Sequence, residues 1–263
     1  MMAGRLPGKS ILRHCSPVET SDLENMAAPG VGSADGLTLA NVSRDFTEWR
    51  RGRPAYAVWA LDLAGPVLNE RSARCRAHLA DCLLPDYGRA PHLTVHLCGF
   101  PAPRAELADD YAADVFAAQV ASLAGIRWVP FAIDIGRPDS FTSAAYFSVH
   151  DPARGIEKLR LALAGERPPD DVPYLPHVSF GLYRVAVPLA TVLARLATVA
   201  TGQPWRFEVG KLALMSYQAA VIGGPLSTLA EFDLVAGRLH VRDAPRLAEL
   251  FGEAWSAPGF SGK

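Results

Sequence analysis

Two short stretches of this chain repeat one arrangement of side chains: Pro91-His92-Leu93-Thr94-Val95 and Pro176-His177-Val178-Ser179-Phe180. Each reads proline, histidine, apolar residue, hydroxyl, apolar residue. On a β-strand alternate side chains share a face, so His92 lies beside Thr94 and His177 beside Ser179, with the apolar residues on the opposite side. An imidazole next to a hydroxyl, present twice, suits chemistry at phosphorus. One imidazole takes a proton from the nucleophile, the other gives one to the leaving oxygen, and the hydroxyls hold the non-bridging oxygens. Imidazoles titrating near pH 6.5 can do this without a metal. The looser pattern His-x-Ser/Thr also occurs at His14-Cys15-Ser16, but Pro17 follows it and no strand-like run surrounds it. The stricter form occurs at His92 and His177 alone.

For the two motifs to act together, the elements around them must bring them face to face. Tyr56 to Leu63 reads as a buried strand, and Pro66 to Leu84 carries helical spacing. His92 to Gly99 is the first motif strand; after Pro101 and Pro103 a helical pattern runs through Ala124. Trp128 to Gly136 and Phe141 to His150 are two further strands, joined at Arg137-Pro138-Asp139-Ser140 by turn-forming residues. Asp151 caps a helix that has Pro152 in its first turn and ends near Ala164. The second motif strand, His177 to Arg184, precedes a helix from Pro188 to Val199. Phe207 to Tyr217 and Leu226 to Val235 pair around Gly223-Gly224, and Asp243-Ala244-Pro245 opens a terminal helix. Strands interleaved with helices and joined by hairpins predict an α+β fold of two similar lobes. The division expected is an extension with little fixed structure over 1–45, a bilobal domain over 46–240, and a helix and tail over 241–263.

Composition excludes several classes of function. At 263 residues, 49% hydrophobic and 20% charged, the chain is neither disordered nor collagen-like. Lys+Arg number 26 against 27 Asp+Glu, so no global field recruits long nucleic acid and any polyanion contact is local. Cys15, Cys75, Cys82 and Cys98 lack metal-ligand or disulfide-scaffold spacing, which suggests thiols in a reducing compartment. No run approaches the ~18 apolar residues of a membrane span, and the first residues lack a continuous apolar core, so a cytoplasmic protein with no membrane partner is expected. His92 and His96 form H-x-x-x-H, but on a strand four residues span ~13 Å, too far for one ion. Arg50, Arg51 and Arg53 read as a solvated linker, and Tyr146, Ser148 and His150 as a solvated or hairpin-packed face.

From Tyr56 to Val235 the chain resembles the 2H phosphoesterase superfamily. Besides the two motifs, the likeness rests on the opening strand Tyr56 to Leu63, the ending Leu97-Cys98-Gly99-Phe100 of the first motif strand, and the Ser- and Gly-containing segment Leu212 to Gly224. Departures are His96 where the family has an apolar or aromatic residue, Ser179 in place of Thr, and the long N-terminal extension. The resemblance implies two pseudo-symmetric lobes, each an antiparallel sheet with helices packed outside, with the motifs facing each other across a central groove. It implies His92 and His177 as acid and base, with the division of roles open; in the hydrolase reading His177 activates water and His92 protonates the leaving oxygen. Thr94 and Ser179 then bind phosphate, and no metal or cofactor is needed. The activity implied is hydrolysis of 2',3'-cyclic phosphate ends of RNA or nucleotides to 2'-phosphates by a monomer, with 2'-5' RNA ligation as the reverse. Strand period adds His96, on the face of His92, and Tyr183, on the face of His177, as substrate-binding candidates. It also puts Cys98 on the His92 face, without the basic surroundings that make a nucleophile. Two other readings remain: a binding protein that holds a nucleotide or RNA end without turnover, and a cyclic phosphodiesterase of a small nucleotide metabolite.

Overall fold

Residues 36–165 and 174–256 are described by the computed structural model. The expectations for residues 1–35, for the loop after Gly165 as far as Pro173 and for the last residues of the tail lie outside them. Among the described residues two sheets form, in an α+β arrangement with helices around them. The first has the order β10-β9-β8-β1-β2-β3 and the second β6-β5-β4-β7. In chain order the strands are β1 (Ala55–Asp62), β2 (His92–Ala102), β3 (Asp110–Ala112), β4 (Phe131–Ser140), β5 (Ala144–His150), β6 (His177–Leu182), β7 (Trp205–Val209), β8 (Lys211–Gln218), β9 (Ser227–Asp233) and β10 (Arg238–Val241). The helices are α1 (Thr47–Arg50), α2 (Pro66–His78), α3 (Ala113–Ala124), α4 (Gly155–Ala164), α5 (Leu189–Ala197) and α6 (Ala244–Phe251). Neighbouring strands are antiparallel except β2 and β3.

β1 sits centrally in the first sheet and is buried along its length save Asp62, which explains its unbroken apolar sequence. One face of that sheet places Trp59, Leu61, Leu93, Val95, Leu212 and Leu214 in the main core. The other carries Tyr56, Val58, Ala60, Ala213, Met215 and Tyr217 beneath Trp49 and Phe100. Burying any one of these large side chains contributes about 2 kcal/mol.

The helices are exchanged between the sheets. α2 follows β1 yet packs on β6 and α5, and Arg71 in it donates to the Gly136 carbonyl in β4 at 2.7 Å. α4 follows β5 yet packs on β2 and α3. There Gln119 donates to the Leu163 carbonyl at 2.9 Å and Ser122 to that of Ala162 at 2.8 Å. One core therefore spans both sheets and holds the two motif strands, β2 and β6, against each other.

Several expectations are corrected. The stretch Phe207 to Tyr217 is not one strand: at Gly210 the chain leaves the second sheet as β7 and enters the first as β8. The hairpin turn lies at Phe141 to Ser143 rather than Arg137 to Ser140, because a register shift between Ile135 and Pro138 absorbs the proline inside β4. Residues 36–45, part of the segment expected to have little fixed structure, make defined contacts. Thr38 is buried and exchanges backbone and side-chain bonds with Val185 and Val187, while the Asn41 amide donates to the carbonyls of Ser143 and Tyr183. α2 ends at His78, short of Leu84. Gly99 has φ 117°, and a Cβ there would collide with the Asp109 carbonyl, which gives the glycine after the first motif strand its reason. The terminal helix starts as expected, with Asp243 accepting from the Arg246 amide at 3.0 Å. Cys75, Cys82 and Cys98 are buried.

Candidate active site

Backbone geometry fixes each motif histidine in the same way. The His92 Nδ1 lies 2.8 Å from the carbonyl of Ala90, and the His177 Nδ1 2.8 Å from that of Leu175. A carbonyl only accepts, so Nδ1 carries the proton in both rings and the lone pair of each neutral imidazole sits on Nε2. The proline between the histidine and the accepting carbonyl recurs because Pro91 and Pro176 favour extended backbone in the residue before them. Both rings are thus set as proton acceptors at the same nitrogen.

Each motif strand then breaks its ladder at the same place. Ala60 pairs with Thr94 but Trp59 with His96, leaving Val95 as an extra residue. Tyr146 pairs with Ser179 but Ala145 with Gly181, leaving Phe180 as the extra residue. Such a bulge inverts the alternation of faces beyond it. Before the bulge, His92 and Thr94 share the face of Ala60, and His177 and Ser179 that of Ser148 and Tyr146. Beyond it three expectations change. His96 pairs with Trp59, a main-core residue, so it leaves the His92 face. Cys98 packs in the main core with Leu93 and Val95. Tyr183 is fully buried in that core with its hydroxyl 2.5 Å from Ser140 Oγ, so its ring offers no surface to a ligand.

The environment of the two imidazoles differs. His92 is 6% exposed, and its pKa is depressed to about 4 by burial first, then by the charges of Arg89 and His177, against the opposing bond to Ala90. The packing of β2 on β6 brings the two rings into one neighbourhood. His177 is half-buried and depressed by burial, against its bond to Leu175. Aromatic rings wall it: Phe141 meets its edge at 5.0 Å and Tyr146 at 5.6 Å, and the two stack on each other at 4.1 Å. Arg89 instead lies over the Tyr217 ring at 4.3 Å, on the His92 side. Thr94 and Ser179 are half-buried.

The sequence pattern did not single out Arg89, Phe141, Tyr174 or Arg160. Position gave one available signal: Arg89 and Tyr174 each stand three residues before a motif histidine. Of the arginine run, Arg50 binds Asp45 at 2.6 Å and Arg53 binds Asp109 and Asp110 at 2.6 and 2.7 Å, so these two cations are engaged by carboxylates. No helix among the described residues is long and apolar enough to cross a membrane.

E. coli LigT complexed with 3'-AMP is 17% identical, with a TM-score of 0.45 over 68% of this chain and 98% of that one. Kluyveromyces marxianus Usb1 is 14% identical, with a TM-score of 0.40 over 67% of this chain and 97% of that one. No curated protein sequence matches the chain. Residues 63–220, a span that holds both motifs and most of the two sheets, match the family described as the 2'-5' RNA ligase superfamily. With more than half of its length inside that match, the chain belongs to the 2'-5' RNA ligase superfamily, the 2H phosphoesterases.

Proposed function

We propose that the protein is a phosphodiesterase that opens the 2',3'-cyclic phosphate ends of RNA or nucleotides to 2'-phosphates, using His92 and His177 and needing no metal ion. The observation that carries this reading is the duplicated unit of imidazole, pinned tautomer, neighbouring hydroxyl and bulge on two strands packed together. Water attacks phosphorus, its proton passes to one imidazole, the bond from phosphorus to the 3' oxygen breaks, and that oxygen takes a proton from the other imidazole. Thr94 and Ser179 donate to the non-bridging oxygens as charge grows on them.

The resting electrostatics favour His92 as the base and His177 as the acid, the other of the two assignments that the sequence leaves open. Burial, Arg89 and His177 together keep His92 neutral and ready to accept. His177 feels burial without a comparable cation, and an anionic phosphate entering between the rings raises its affinity for a proton. With a 5'-hydroxyl in place of water, the same steps join RNA ends through a 2'-5' bond.

Incubation with nucleoside 2',3'-cyclic phosphates and a short RNA ending in one, with a chelator present, tests the reading. The 2'-phosphate is the expected product; a 3'-phosphate, or activity that disappears with the chelator, overturns it. A 4-nitrophenyl phosphodiester, whose leaving group needs no proton, separates the roles by restoring turnover to the His177→Ala variant and not to His92→Ala.

A further inference from the structure

We infer that Tyr174 and Arg160 act as a clamp that positions Thr94, so that the approach to the second motif sets the geometry of the first. The bulge at Val95 takes the carbonyls of Thr94 and Val95 out of regular ladder pairing, and buried carbonyls require donors. Both donors come from beyond β5. The Tyr174 hydroxyl donates to the Thr94 carbonyl at 2.6 Å, and Arg160 Nη1 donates to the Val95 carbonyl at 2.8 Å. The two donors are themselves joined, with the Arg160 guanidinium 3.8 Å above the Tyr174 ring. Tyr174 stands three residues before His177, whose ring is held by the intervening Leu175 carbonyl. A continuous path of short contacts therefore links the His177 ring to the backbone that aims the Thr94 hydroxyl. On the opposite side the Tyr87 hydroxyl lies 3.5 Å from the Ser179 carbonyl, a much weaker version of the same contact.

Tyr174 and Arg160 touch backbone rather than substrate, so they are positioning residues. The inference rests on the proposed activity only for its kinetic readout. Tyr174→Phe is expected to lower kcat on a nucleoside 2',3'-cyclic phosphate roughly tenfold or more while changing KM less than about threefold. Arg160→Lys, which keeps the charge and loses the planar fork over Tyr174, does not restore wild-type kcat. The decisive measurement is the double-mutant cycle of Tyr174→Phe with Thr94→Val. If Tyr174 acts through Thr94, its loss costs little once the hydroxyl is gone, whereas additive losses in kcat overturn the clamp. NMR of Thr94 gives a readout independent of turnover: Tyr174→Phe is expected to shift the Thr94 amide and methyl signals, and unchanged signals overturn the inference even if no cyclic phosphate is a substrate.

Discussion

The two motif segments are alike in what local backbone builds and unlike in what surrounds them. In both, a histidine bonds the carbonyl two residues back, a hydroxyl shares its face, and a bulge follows directly. Around His92 the neighbours are Arg89 over Tyr217; around His177 they are Phe141 and Tyr146. On the proposed reading the repeated part supplies the two proton carriers, and the unequal surroundings decide which of them acts as base and which as acid.

Exchanging the hydroxyls tests the equivalence most strongly. Thr94→Val and Ser179→Ala are each expected to lower kcat/KM by ~10²-fold, as steady-state kinetics would show. A loss confined to one of them breaks the proposed symmetry. Acidification tests the inequality. The folded pKa of His92 lies near 4, below the ordinary 6.5, so between those values the unfolded chain holds the extra proton. Stability is then full above pH ~6.5 and falls by ~3 kcal/mol as the pH drops toward 4, with His177 adding to the same slope. Urea unfolding at pH 7 and pH 5 measures the slope, which His92→Gln should flatten. Arg89→Gln sharpens the comparison further by raising the His92 pKa, which NMR titration of the ring reads directly; no movement would remove Arg89 from the account.

Smaller effects test the parity argument. Tyr183→Phe removes the bond to Ser140 and is expected to cost about 1 kcal/mol of stability in chemical denaturation, with turnover close to wild type. His96→Gln is expected to change kcat/KM by less than about threefold, because the bulge has taken the side chain off the His92 face. A large kinetic loss in either variant would mean that the strand period had placed these residues correctly and the bulge had not displaced them.

What was legible in the sequence follows from the range of the forces involved. The histidines, their hydroxyls and the strand and helix order are set by residues within a few positions, and the α+β arrangement of two sheets agrees with them. Period-two counting failed at Val95 and Phe180 because a bulge is a property of two paired strands, invisible in either alone. That single omission accounts for His96, Cys98 and Tyr183 together. Gly210 marked a sheet change only once both partners of β7 and β8 were known. The residues that differentiate the two histidines, and the Arg160 and Tyr174 contacts on β2, come from segments distant in sequence, and only the repeated spacing before each histidine hinted at Arg89 and Tyr174.

The most direct test of the paired-histidine account is turnover of a nucleoside 2',3'-cyclic phosphate by wild type, His92→Ala, His177→Ala and the double variant, with folding of each checked by circular dichroism. The account predicts that each single variant loses at least ~10²-fold in kcat and that the double variant is hardly worse than either, because the two imidazoles act as one unit. Substantial activity in either folded single variant would contradict it.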